Sequence, residues 1–250
     1  MLIESTPFYP LAILAILIVG ISKSGFGGGL GVLAVPLMSL VIPPPQAAAI
    51  LLPLLVVMDW FTVWHYRKKW DKRNLLILLP AAILGIVLGS LYFKYLSDAH
   101  IRIMVGVLAM LFGMNYFVKK RSVNQHTADV PRGVLWGTVA GFTSFGVHAG
   151  GPPVNIYILP QQLPKSVFVG TTVVFFTIVN LIKLLPYTLL GQFSTGNILT
   201  SLILAPLAPV GVWLGVKLHD RVNESLFYAL CYFFLLVTGV KLLVDGIQGL

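Results

Sequence analysis

The chain has 250 residues, 57% of them hydrophobic and only 10% charged, and its mean hydropathy is +0.91; a soluble globular core needs far less apolar material, so that class is excluded. The excess of 17 Lys+Arg over 8 Asp+Glu sits largely in short loops, Arg67–Arg73 and Lys119–Arg121, where the positive-inside rule accounts for it without nucleic acid. The single cysteine, Cys231, rules out an intrachain disulfide.

The first apolar stretch, Phe8–Ile42, is interrupted by SKSGFGGGLG at Ser22–Gly31. As one helix its 35 residues would span about 52 Å, too long for a single crossing of a core about 30 Å thick. Two partial helices of about 13–15 residues meeting in a hairpin fit better. MLIESTPFYP has no basic n-region and no small-residue cleavage site, so this segment is expected to be retained. Three helices follow, Gln46–Tyr66, Asn74–Tyr95 and Ala99–Val118. After the polar stretch Lys119–Arg132 the order returns. Gly133–Pro160 is broken by SFGVHAGGPP at Ser144–Pro153, and Lys165–Leu190, Thr195–Lys217 and Asn223–Val244 are each read as one helix. The period-2 alternation of a membrane barrel is absent.

The halves match residue by residue. Pro43 and Asp59 recur as Pro164 and Asn180, 121 residues on; Pro80, Gly85, Gly89, Asp98 and Gly113 recur as Pro206, Gly211, Gly215, Glu224 and Gly239, 126 residues on. One offset change in a loop is what a diverged duplication leaves. The expected fold is an all-α polytopic membrane protein of two inverted repeats, each a broken, re-entrant helix pair plus three transmembrane helices. The repeats are 1–120 and 131–250, joined by a loop at 121–130. Inversion places Arg67–Arg73 and the Lys217/Arg221 pair on one side and the uncharged Gly191–Asn197 on the other; parallel repeats would violate the charge rule.

Non-helical backbone at membrane depth persists only where protein or a water-filled cavity covers it, and paired breaks point to a transporter's central site. Four ionisable residues lie away from the expected membrane surfaces: Lys23, Asp59, His148 and Lys183. Each costs at least ~2.5 kcal/mol to hold there, so each is a functional candidate. Free N–H groups after a break, Lys23, the hydroxyls of Ser22, Ser24, Thr143 and Ser144, and His148 together suit a small anion. Against this stand plainer readings: glycines for close helix crossing, Lys23 snorkelling to an interface, His148 bonded to backbone. Asp59 and Lys183 are candidates for proton coupling or a structural ion pair. Asn155, Thr171, Thr172 and Asn180 could line the cavity or join helices. Gly85-x-x-x-Gly89 and Gly211-x-x-x-Gly215 suit helix packing. GFGGGLG does not fit G-x-G-x-x-G, and neither a Cys/His metal cluster nor H-E-x-x-H occurs, so neither an enzyme, a metal nor a cofactor is expected.

The segments SKSGFGGGLGVLAVPLM and GFTSFGVHAGGPPVNIYIL resemble the two signatures of the TauE/SafE family of sulfite and sulfonate exporters. The resemblance implies a bacterial inner-membrane transporter of a small sulfur oxyanion or organosulfonate, with membrane lipid as its surroundings. It implies that Gly25, Gly27, Gly28 and Gly29, and Gly146, Gly150 and Gly151, lie in substrate-contacting segments. An anion channel, or a non-transporting membrane subunit of an enzyme, are the alternatives.

Overall fold

The computed structural model describes residues 7–25, 28–93, 95–118, 127–218 and 224–250. They are helical, with no strand among them. Helix α1 (Phe8–Gly25) is followed by a 3-10 turn (Gly29–Leu33) and the short α2 (Ala34–Met38); α3 (Pro44–His65), α4 (Lys72–Phe93) and α5 (Asp98–Val118) complete the first half. The second half runs α6 (Val130–Val147), α7 (Gly151–Ile158) with a 3-10 turn (Leu159–Gln161), α8 (Lys165–Leu189), α9 (Thr195–Leu204), α10 (Leu207–Leu218) and α11 (Glu224–Gln248). Local chemistry sets several starts. The Asp129 carboxylate accepts from Arg132 N–H, and the Ser194 hydroxyl from Asn197 N–H; each satisfies a donor that the first helical turn leaves free. Proline at the first turn begins α3 and α7, where its missing N–H costs nothing.

Two expectations are corrected. Thr195–Lys217 is not one helix: α9 and α10 meet at a 43° bend. Pro206 lies in the break and has no N–H to continue the ladder, and Ala205 N–H turns back to Leu202 O at 3.3 Å. The pieces of the first broken segment are also unequal. Helix α1 has 18 residues, about 27 Å, while the return arm is a 3-10 turn and five α-helical residues. Among the described residues five helices, α1, α3, α4, α5 and α8, are long and apolar enough to cross a membrane, and α9 with α10 makes a sixth if counted as one span. Leu76, Leu84, Leu91, Trp60, Trp64 and Trp213 are exposed on the outside. Such a surface suits hydrocarbon and an interfacial aromatic belt.

Between helices in lipid there is no hydrophobic drive, so close packing at small residues does the work. Gly85 faces the backbone of Thr138 and Phe142, and Gly141 faces that of Ala82, which sets α4 and α6 side by side in the same direction. Gly20 against Gly211, and Gly215 against Ile21 and Ser24, do the same for α1 and α10. In contrast α5 and α11 run antiparallel, with Gly106 beside Gly239 and Leu243 and Gly246 beside Ile103. Helices α3 and α8 are also antiparallel: Asp59 meets Asn180, and Tyr66 packs with Val169 and Val173.

These pairings define two ends. At one, Asp71 N–H donates to Thr171 Oγ1 (2.8 Å) and Asn74 pairs with Gln161 (2.8 Å), gathering the 66–73 loop and the start of α8. Lys217 closes α10 at this same end, beside the last turn of α1. At the other end Gln46 Nε2 donates to Asn197 Oδ1 (3.2 Å) and Arg102 Nη1 to Ser39 O (2.7 Å). Helix α1 therefore runs toward the basic end and its return arm comes back to Ser39. Helix α6 starts at the basic end, where Tyr157 Oη donates to Asp129 O (3.0 Å), and its return arm comes back to Gln161. Two hairpins enter from opposite ends and pass one another in the middle.

Candidate functional site

Each hairpin tip is closed by the same backbone bond. Gly28 N–H donates to Ser22 O (3.0 Å), and Ala149 N–H donates to Thr143 O (3.1 Å), both residues lying 121 positions on. The chain turns in the left-handed region at Gly28 (φ 75°) and at His148 (φ 54°). Glycine pays nothing there; His148, which has a Cβ, is held by its bonds. Its Nε2 lies 2.9 Å from Ala48 O and its Nδ1 2.7 Å from Lys183 Nζ.

Between the tips lies a cavity of about 40 Å³ lined by Lys23, Gly28, Ser144, His148, Gly151 and Asn180, with Val19, Gly31, Ala34, Leu51, Leu55 and Phe176 as its apolar wall. Lys23 Nζ is 2.5 Å from Asp59 Oδ1, with side chains 6% and 1% exposed. The other Asp59 oxygen accepts from Asn180 Nδ2 (2.7 Å), so the residues matched across the two halves meet in space. Lys183, fully buried, donates to Ser144 O and Ser144 Oγ, both at 3.0 Å. All four ionisable candidates thus belong to one polar core.

The remaining candidates are placed elsewhere. Ser24 Oγ lies on Gly20 O (2.8 Å) and Val212 O (2.9 Å), in the α1–α10 seam. Gly25 packs on Gly215 O. A Cβ at Gly150 would meet Ala140 O and Ser144 Cβ at 2.9 Å, so Gly150 is a helix contact. Gly29 opens the 3-10 turn, and Gly27 lies outside the described residues. Asn155 is on α7, its Oδ1 buried without a hydrogen-bond partner. Gly146 lines a second cavity, of about 390 Å³, at the end opposite the basic loop, with Pro45, Phe93, Leu96, Asp98, Ile101, Phe145, Tyr187, Leu190 and Gln192.

Two tyrosines absent from the sequence-based set tie the ends of α3 and α8 to the broken helices. Tyr66 Oη donates to Ser24 O (2.7 Å), and Tyr187 Oη donates to Phe145 O (2.6 Å). Both bonds join residues 42 apart, and the two pairs are 121 residues apart. Their match at the Asp59/Asn180 offset was the signal that could have found them. Tyr187 also stacks on His148, ring centroids 6.3 Å apart. No group of His, Cys, Asp or Glu among the described residues could hold a metal.

A multi-pass helical bundle with a lysine-lined cavity at two broken helices suits a membrane transporter. The chain belongs to the TauE/SafE sulfite exporter family, whose model matches residues 12–242. Membership implies a membrane transporter of a sulfur anion and not an enzyme. No curated protein and no solved structure matches the chain.

Proposed function

We propose that this protein moves a small sulfur-containing anion (sulfite, thiosulfate or an organosulfonate) across a bacterial inner membrane by alternating access about the central cavity. The observation that carries this reading is the convergence of both hairpin tips on one buried cavity holding Lys23, Ser144, His148 and Asn180. Ammonium, hydroxyl and amide donors in one site suit an oxyanion, and Lys23 is already oriented by Asp59.

The two halves, 1–120 and 131–250, act in this reading as inverted repeats. Supporting it, the matched helices α3 and α8 lie antiparallel, as do α5 and α11, and the α1–α10 and α4–α6 seams are the same pairing with the halves exchanged. Tyr66 and Tyr187 are then the two closures of the pathway. Beyond Tyr187 lies the larger cavity, whereas beyond Tyr66 the Lys69 carbonyl rests on Gly170. In this reading the conformation is the one open toward Gln192. With the basic end cytoplasmic, that opening faces outward.

The test is counterflow. Proteoliposomes loaded with sulfite should take up labelled sulfite faster than empty ones, and the rate should saturate. Uptake that rises linearly with concentration and ignores internal sulfite indicates a channel and overturns alternating access.

A further inference from the structure

The charges in the polar core do not balance. Lys23 and Asp59 cancel at 2.5 Å, whereas no carboxylate among the described residues pairs with Lys183. Ser144 O, Ser144 Oγ and His148 Nδ1 surround Lys183 Nζ at 3.0, 3.0 and 2.7 Å. Three acceptors match the three N–H donors of an ammonium. With Lys183 as the ammonium, His148 adds no second charge: its Nδ1 then accepts from Lys183, and its Nε2–H is donated to Ala48 O. With Lys183 protonated, the core holds one positive charge beyond the Lys23–Asp59 pair.

We propose that Lys183 is the counter-charge of the transported anion, acting through Ser144 and His148, and that the site is matched to one negative charge. This rests on the reading of the cavity as the anion's site. Lys183 does not line the cavity, but Ser144 and His148 do. Because Ser144 Oγ accepts from Lys183, its own O–H remains to be donated, polarised by the ammonium behind it. Lys23 contributes donors but no net charge, since Asp59 already balances it. An unpaired charge in a water-poor interior is costly, so the empty site is the strained one. A monoanion relieves the strain, whereas a dianion leaves a residual negative charge buried.

Methanesulfonate and sulfate, near-equal in shape and differing by one charge, test this in detergent by calorimetry and thermal unfolding. The wild type should bind methanesulfonate about tenfold or more tightly than sulfate, and Lys183→Met should lose about tenfold to a hundredfold of the methanesulfonate affinity. Without ligand, Lys183→Met should melt no lower than the wild type, a result that a merely structural lysine would not give. Unchanged methanesulfonate affinity in Lys183→Met overturns the counter-charge and leaves the transport reading standing, as does equal or tighter sulfate binding by the wild type. A lower ligand-free melting temperature with affinity kept does the same. Should Lys183→Met fail to fold, the wild-type ratio decides alone. If the wild type binds neither anion, the cavity is not an anion site and the transport reading falls first.

Discussion

Asp59 is the residue whose surroundings change most between sequence and structure. Alone in an apolar helix it suggests a proton carrier or one half of a structural ion pair; in the fold, one oxygen faces Lys23 and the other accepts from Asn180. Removing one partner of such a buried pair strands the other, typically at about 3–5 kcal/mol, whereas replacing both with apolar groups is often neutral. Lys23→Met should therefore lower thermal stability markedly, and Lys23→Met/Asp59→Leu should recover most of the loss. Equal melting of Lys23→Met and wild type would mean the pair does not form. The four ionisable residues were legible because charge stands out in an apolar run. Which of the two lysines pairs with Asp59 was not, because it depends on how deep each hairpin reaches, and no local pattern encodes that depth.

At the scale of elements, glycine-rich stretches were legible as breaks, but glycines of one motif have different duties. Gly28 lines the cavity with φ 75°, and a Cβ there meets only Phe176, at 3.9 Å. Gly141 sits on the Ala82 backbone with no room for a Cβ at all. Gly28→Ala should thus cost only the left-handed conformation, about 1–2 kcal/mol. Gly141→Ala must push α6 off α4 and should cost more, while the response of melting temperature to added anion survives. A Gly141→Ala protein as stable as Gly28→Ala would show that the seam is loose. The α9–α10 bend escaped the sequence reading for a related reason. Pro80 and Pro206 match across the halves, yet α4 runs unbroken through Pro80 while the chain bends at Pro206. Proline marks where a helix can break, and packing decides whether it does.

For the whole molecule, the proposed inverted repeats rest on the charge pattern and the packing together. Arg67, Lys68, Lys69, Lys72, Arg73 and Lys165 share one end with Lys217, and the uncharged turn at Gly191–Asn197 joins Gln46 at the other. If the halves were parallel repeats, α3 and α8 would run the same way and each half would contribute its matching loop to the same end. They run oppositely, which supports the proposed inverted halves, with the 66–73 loop and its counterpart on opposite faces. Single cysteines in a Cys231→Ser background read this directly. Lys72 and Thr195 are both exposed, so Lys72→Cys and Thr195→Cys should disturb little. In sealed, right-side-out vesicles an impermeant thiol reagent should label Thr195→Cys at once and Lys72→Cys only after the vesicles are opened. Labelling of Lys72→Cys alone would keep the inverted halves but turn the molecule over, and with it the outward-facing assignment of the Tyr187 cavity. Labelling of both from one side would remove the inverted repeats altogether, and with them the pairing of Tyr66 and Tyr187 as opposite closures.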